Sequence, residues 1–329
     1  MIPGMRRRAL LKAGAGLLLA PTVLRAQDPA ATWPNKTVRL IIPFTPGGST
    51  DFQGRLLCEW LSRHFGQQFI IDHKPGAGSN LGVAETARSA PDGYTLGWIT
   101  VASHAINPTL YAKMPFDHIK DFAPVSMTGT FPNLLVVNNA MPVRTVQDLI
   151  LLVKQNPGKY TFASSGQGTS LHLSGEMFKV MTKTDMIHVP YKGGGPALQD
   201  VMGGQVHMTF GNMPTVITQA RAGKVRPIAV TSAERWFSAP DIPAVAETIP
   251  GFQAMSWHGV AFPAATPPAI VEKLSAAIQK AMATQEMQDK YATGGSKATA
   301  MTPQQFAAYI KEDTERWAPI IRASGAKVE

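Results

Sequence analysis

Short apolar, β-branched runs alternate with helical stretches along most of this chain. Val38-Arg39-Leu40-Ile41-Ile42 reads as a buried strand, and Phe52, Leu56, Leu57, Trp60, Leu61 and Phe65 then recur at helical spacing. A second strand is predicted over 68–72 and a helix over 81–90, with Asn80 placed to cap it. Ala90-Pro91-Asp92-Gly93 is a strong turn, and a third strand over 94–101 ends in a small polar loop at 102–108. Alternation at this spacing predicts a parallel sheet covered by helices.

The same grammar restarts in the middle of the chain. Leu134-Leu135-Val136-Val137 reads as a strand, and a helix is predicted over 145–156. The strand Tyr160-Thr161-Phe162-Ala163 then leads into a small-residue loop and a helix through Leu171, Leu173, Met177, Phe178 and Met181. Strands over 186–189, 205–210 and 225–230 alternate with helices over 196–202 and 214–222. Past Gly251 come a strand over 254–262 and helices over 269–283, 286–293 and 303–323, the last with Thr302 as its cap and Pro303 at its first position. These helices bring no sheet of their own and must pack on the first. The expected organisation is a discontinuous domain of 27–130 plus 254–329 and a continuous one of 131–253, with two crossings.

Two strand-to-helix junctions carry candidate chemistry. Phe44-Thr45-Pro46-Gly47-Gly48-Ser49-Thr50-Asp51 and Ser164-Ser165-Gly166-Gln167-Gly168-Thr169-Ser170 each join a strand to a helix N-terminus. Glycines let a ligand approach the backbone, and a helix start offers unpaired N–H groups and the positive end of its dipole. Each loop alone is also explained as a simple turn with a Ser or Thr cap. Two of them facing a cleft fit a ligand with two anionic ends, such as a dicarboxylate. Neither contains Arg or Lys, so capture falls to amides and hydroxyls. Asp51 would repel an anion if it faced the cleft, and is read as bracing the helix dipole or its own loop amides.

Composition narrows the class. The 329 residues are 44% hydrophobic and 16% charged, an ordinary globular balance with room for two domains. Of the formal charge of +9, Arg6, Arg7, Arg8, Lys12 and Arg25 supply five within residues 1–26, where no acid occurs. A basic stretch followed by the short apolar run Ala13–Ala20 reads as a signal peptide. Arg7-Arg8-x-Leu10-Leu11-Lys12 resembles a twin-arginine signal, although Arg6 replaces the usual Ser or Thr, so both export routes stay open. Cleavage is placed after Ala26, and the mature chain is expected outside the cytoplasm, with no membrane insertion. The single cysteine, Cys58, cannot form an internal disulfide and reads as core.

Several chemistries find no support. Basic residues do not interleave with aromatics as a nucleic-acid binder needs. No Gly-x-Ser-x-Gly elbow exists, and His172 lies near Ser165 without an acid to orient it. Gly76-x-Gly78-x-x-x-Gly82 misses dinucleotide-loop spacing by one residue. His172, His188 and His207 fall on separate elements and do not suggest a metal site. Catalysis, cofactor and metal are therefore not expected.

A series of short motifs, modest singly, is specific in order and spacing. It comprises Pro43-Phe44-x-Pro46-Gly47-Gly48-x-x-Asp51, Lys74-Pro75-Gly76-Ala77-Gly78, Ala90-Pro91-Asp92-Gly93-Tyr94-Thr95-Leu96 and His104-Ala105-Ile106-Asn107-Pro108. It continues through Lys120-Asp121-Phe122-Ala123-Pro124-Val125, Ala163-Ser164-Ser165-Gly166, His188-Val189-Pro190-Tyr191-Lys192-Gly193, Gly203-Gly204-Gln205-Val206 and Ser256-Trp257-x-Gly259. From about Trp33 to Gly325 the chain resembles the Bug family of periplasmic solute-binding proteins, the substrate-binding component of tripartite tricarboxylate transporters.

The resemblance implies an α/β type II periplasmic-binding-protein fold, two α/β domains with a ligand cleft between them. It implies a small carboxylate as ligand, the membrane subunits of a tripartite transporter as partner, and a monomer. A ligand-sensing role on a sensor kinase is the alternative. Carried over by motif, Pro46, Gly47, Gly48, Ser49, Thr50 and Asp51 would hold one end of the ligand. Ser164, Ser165, Gly166, Gly168, Thr169 and Ser170 would hold the other. Ser103, His104 and Asn107 would line the cleft from the first domain, and Tyr191, Lys192, Gly193 and Asn212 from the second, with Trp257 near the hinge. Gly211 stands where relatives often carry Asp, which would leave room for a bulkier ligand. His258 stands where they carry Phe, as a polar contact or a solvent-facing side chain. Gln53 and Gly54 also depart from the usual pattern.

Overall fold

The computed structural model describes residues 30–328; the expected signal peptide over 1–26 lies outside them. The first half contains β1 (Val38–Ile42), α1 (Ser49–Phe65), β2 (Phe69–His73), α2 (Asn80–Ala87), β3 (Thr95–Thr100) and α3 (Asn107–Leu110). The long β4 (Phe122–Val137) carries the chain across to α4 (Val146–Gln155), β5 (Thr161–Ser164), α5 (Ser170–Thr182), β6 (Ile187–Pro190), α6 (Gly194–Met202), β7 (Met208–Asn212), α7 (Met213–Arg221) and β8 (Arg226–Val230). β9 (Met255–Pro263) returns it, followed by α8 (Pro268–Ala283), α9 (Gln285–Thr293), β10 (Lys297–Ala298) and α10 (Pro303–Ser324).

The strands run in the order β2-β1-β3-β9-β4-β7-β5-β6, with β8 and β10 also paired to β4. β1 is parallel to β2 and β3, and β5 is parallel to β6 and β7, as βαβ units require. β9 and β4 are antiparallel crossing strands. Residues 122–132 of β4 pair with β9, and Asn133 to Val137 pair with β7 and β8. Sequence periodicity finds only the last four residues of this strand. Pro124, Gly129 and Pro132 disguise the rest, and the register shifts at 124/126 and 127/129 are bulges beside Pro124 and Gly129.

Local signals account for several helix starts. Thr302 and Gln305 form a capping box with Pro303 at the first position, and Thr145 and Asp148 form another. Asn80 does not cap α2. That place falls to Ser79, and the Asn80 side chain accepts instead from Asn107 Nδ2 at 2.8 Å.

One apolar cluster packs α1, α8 and α9 on the first half of the sheet through Leu40, Trp98, Leu274 and Tyr291. A second lies within the other half around Phe131, Leu198, Val216 and Val230. A third is continuous across both, joining Ile99 and Ile106 to Phe162, Phe178 and Phe210 around Trp257 and Trp317. Trp257 lies on β9 opposite Thr130, and its Nε1 donates to buried Asp313 of α10 at 2.7 Å. None of the described helices is long and apolar enough to cross a membrane.

Candidate functional site

Four helices aim their N-termini at one small cavity. Ser49 and Thr50 come from the first turn of α1, and Ser170 and Leu171 from that of α5. Gly194 opens α6, and Asn212 is the N-cap of α7. The sequence foreshadowed two of these. Gly193-Gly194-Gly195 before α6 carries the same signal as the other glycine loops. First-turn amides have no acceptor within their own helix, and the four dipoles add positive potential where they meet. No Lys or Arg lines this cavity. Its volume is about 20 Å³, close to what a single water needs.

The loop before α1 is braced from within. Gly47, in the left-handed region at φ +83°, donates its amide to Asp51 Oδ2 at 3.0 Å. Arg55 Nε lies 3.0 Å and His73 Nε2 3.2 Å from Asp51 Oδ1. His73 Nδ1 donates to the Phe44 carbonyl at 2.9 Å. Asp51 therefore spends its charge on its own loop. The amide of Gly47 is spent as well, which leaves those of the α1 first turn facing the cavity.

The loop before α5 is held by uncharged groups. Ser164 Oγ accepts from the Gly166 amide at 3.1 Å and meets His188 Nε2 at 2.6 Å. His172 Nδ1 accepts from the Gly168 amide at 3.3 Å. The two imidazoles stack with centroids 4.1 Å apart. Burial lowers His172 to about 4 and His188 to about 3, with neighbouring Lys179 adding to both and His172 to the second. Both rings are neutral at pH 7.

The two halves touch across the cleft. Thr45 N–H donates to the Lys192 carbonyl at 3.2 Å, and Ser49 Oγ lies 3.2 Å from Asn212 Oδ1. Asn212 Nδ2 in turn donates to Asn133 Oδ1 at 2.7 Å. A Cβ on Gly78 would come within 2.0 Å of the Gln167 carbonyl, and one on Gly193 within 2.2 Å of Thr45 Oγ1. Backbone approach this close requires glycine. Beside this contact lies a larger cavity of about 320 Å³, which shares Phe44 and Ser165 with the first and includes Gly78, Tyr111, Tyr191 and Lys192.

Of the residues expected at the site, Gly48, Ser49, Thr50, Ser165, Thr169, Ser170 and Asn212 line the small cavity. Ser165, Gly166, Tyr191 and Lys192 line the larger one. Pro46, Gly47, Asp51, Ser164, Gly168 and Gly193 line neither and belong to the loops behind.

Ser103, His104 and Asn107 are corrected. All three are fully buried and line neither cavity. The expected loop at 102–108 is a π-helical turn running into α3. It turns Ser103 Oγ back on the Thr100 backbone and cages His104 between Phe116 and Phe122. Burial lowers His104 to about 3, with His118 contributing. Asn107 Nδ2 ties down the Gly78 carbonyl at 3.1 Å.

Gly211 opens no space for ligand, because Val216 Cγ1 would stand 2.4 Å from a Cβ there. His258 is not solvent-facing. It is 2% exposed and lines the small cavity with Thr100 and Ser256. Thr100 also went unforeseen, since a strand end carries no ligand signal of its own, whereas Phe44 and Gly194 lie in stretches the sequence singled out without being named for the ligand.

Residues 54–326 match the family described as tripartite tricarboxylate transporter family receptor, TctC. The chain belongs to that family. Over 321 residues it is 35% identical to Protein BugT of Bordetella pertussis, covering 97% of this chain and 98% of that one. Among solved structures it is similar to R. palustris Rpa4515 with adipate, at TM-score 0.88 and 36% identity over 90% of this chain and 100% of the other. MatC (Rpa3494) from Rhodopseudomonas palustris with bound malate follows at TM-score 0.84 and 30% identity, over 88% and 100%. The fold is the type II periplasmic-binding-protein fold, two α/β halves with the cleft between them. The TctC family is a receptor family, and the chain is a solute-binding protein of that kind.

Proposed function

We propose that this TctC-family protein captures a small di-, tri- or aromatic carboxylate in the cleft and delivers it to the membrane subunits of a tripartite tricarboxylate transporter, without catalysis. The observation that carries this reading is the convergence of four helix N-termini on a cavity with no Lys or Arg among its lining residues. Amides fixed in direction can grip a carboxylate at roughly 1.5–3 kcal/mol per charge-assisted bond. Two similar structures hold adipate and malate, which supports a dicarboxylate.

A dicarboxylate needs more room than about 20 Å³. Loading of the small cavity would have 27–130 plus 254–329 swing from 131–253, with β4 and β9 as the connecting strands. Closure buries the ligand and excludes water. Residues 1–26 would direct export to the periplasm, where the mature chain works as a monomer.

Thermal-shift screening of the mature protein across carboxylates, with calorimetry on hits, tests the reading. A ligand at a hundred times its Kd stabilises by about 2.7 kcal/mol and raises Tm measurably. A carboxylate panel that leaves Tm unmoved while a neutral sugar shifts it overturns the proposal.

A further inference from the structure

A chain of buried polar groups ends at the floor of the small cavity and takes no part in bracing its loops. Thr100 of β3 and His258 of β9 are directly paired across the antiparallel strands, so their side chains share a face. Both line the cavity, at 3% and 2% exposure. Thr100 Oγ1 has no hydrogen-bond partner among the described residues. His258 Nδ1 lies 2.8 Å from Gln53 Oε1, and Gln53 Nε2 lies 2.8 Å from Ser296 Oγ. Gln53 and Ser296 are fully buried. Trp98 and Phe131 set their rings at steep angles to the imidazole and hold it in place.

The direction of this chain decides what His258 offers. A half-turn of the Gln53 amide exchanges its oxygen and nitrogen without changing its shape. In one sense Gln53 donates to Ser296, His258 Nδ1 carries the proton, and Nε2 is a bare acceptor. The Ser296 hydroxyl proton then has no acceptor among the described residues. In the opposite sense Ser296 donates to Gln53 Oε1, Gln53 donates to His258 Nδ1, and Nε2 carries the proton. That sense gives the Ser296 hydroxyl proton an acceptor in Gln53 and His258 Nδ1 a donor, as burial favours. It leaves the Nε2–H as the donor His258 offers to the cavity that it lines with Thr100.

We propose that Thr100 Oγ1–H and His258 Nε2–H form a paired side-chain grip on a ligand carboxylate, with Gln53 and Ser296 as positioning residues that fix the donor tautomer of His258. The inference rests on the carboxylate reading above and narrows it. The grip suits a planar carboxylate, whose two oxygens can take one donor each. It adds two side-chain donors to the helix amides without bringing a cation into the cleft. An amine at this place would face the Nε2–H donor and find only the Thr100 hydroxyl oxygen to accept from it.

The experiment pairs calorimetry with NMR. Succinate, malate, glutarate, adipate and benzoate are titrated into wild type, Thr100→Val and His258→Phe. The first variant removes only a hydroxyl and keeps the β-branched shape; the second keeps an aromatic ring in the same slot. With the best-bound carboxylate, each variant is expected to lose about tenfold or more in affinity while its ligand-free melting stays cooperative.

Nitrogen-15 shifts of the His258 ring, read at pH 7 without ligand, should show a protonated Nε2 and a bare Nδ1 in wild type. Gln53→Met should release that preference, a change that loss of packing would not produce. Two findings overturn the inference alone: wild-type affinity in both variants, or a ring protonated at Nδ1 with a bare Nε2. Should His258→Phe fail to fold, Thr100→Val and the wild-type ring shifts decide. Wild type that binds no member of the panel overturns the carboxylate reading, and the inference with it.

Discussion

The loops before α1 and α5 do the same work with opposite chemistry. Both deliver a helix N-terminus to one cavity. The first is held by charge, with the Asp51 carboxylate shared between the Gly47 amide and Arg55. The second is held by neutral groups, with His172 and His188 stacked beneath it and accepting, or exchanging, hydrogen bonds with Gly168 and Ser164. A carboxylate on the second loop would stand close to the helix ends of both halves and cancel their potential. One brace of each kind keeps the anion site positive while leaving both loops rigid. The difference also gives the two halves different weaknesses.

The largest expected effect is common to both loops. Gly48 has φ −95°, so a side chain is tolerated by the backbone, and its Cβ would sit 3.6 Å from the Gly194 amide nitrogen. The γ-methyls of Gly48→Val would fill the space between the starts of α1 and α6. Several charge-assisted bonds would be lost, and calorimetry should show a drop of about a hundredfold or more at unchanged melting temperature without ligand. Wild-type affinity would take this junction out of the site.

Acid should separate the two braces next. Burial holds His172 and His188 at about 4 and about 3, below the ordinary 6.5, and His104 and His258 at about 3. The unfolded chain therefore binds more protons below pH 6.5. Stability is complete above that pH and falls as the pH drops toward 3 to 4. A proton on His172 Nδ1 would face the Gly168 N–H and break the second brace. Urea midpoints from pH 8 to 4 should decline below 6.5, and His172→Gln should flatten the decline. A midpoint independent of pH in this range would contradict the buried neutral rings.

The smallest effect is expected from the charged brace. Asp51→Ala leaves the Gly47 amide unpartnered, at a cost of about 1–3 kcal/mol, and frees Arg55 to turn toward solvent. Binding should weaken about tenfold, since the loop loosens while the α1 amides stay. Tighter binding in this variant would mean that Asp51 repels the ligand directly, and would invert the comparison.

The alternation of strand and helix, the junctions at Ser49 and Ser170, and the family were all legible along the chain. Those signals are local. A β-branched run, a glycine turn and a capping threonine each act within a few residues, so they can be read one segment at a time. Asp51 belongs with them, because its partners Gly47 and Arg55 lie within one turn of it.

Tertiary structure decided what each polar side chain faces. His104 and His258 are both buried histidines, yet one is sealed between phenylalanines and the other lines the cavity. Their difference depends on a π-helical turn and on a strand pairing with residues more than a hundred positions away. The strand character of 122–133 was hidden for the same reason, since pairing with distant strands, chiefly β9, holds that proline-bearing stretch extended. Four helix starts could be recognised or guessed along the chain. Only the packing of both halves on β4 and β9 brought them to one point, and it is their convergence that makes an anion site out of ordinary helix ends.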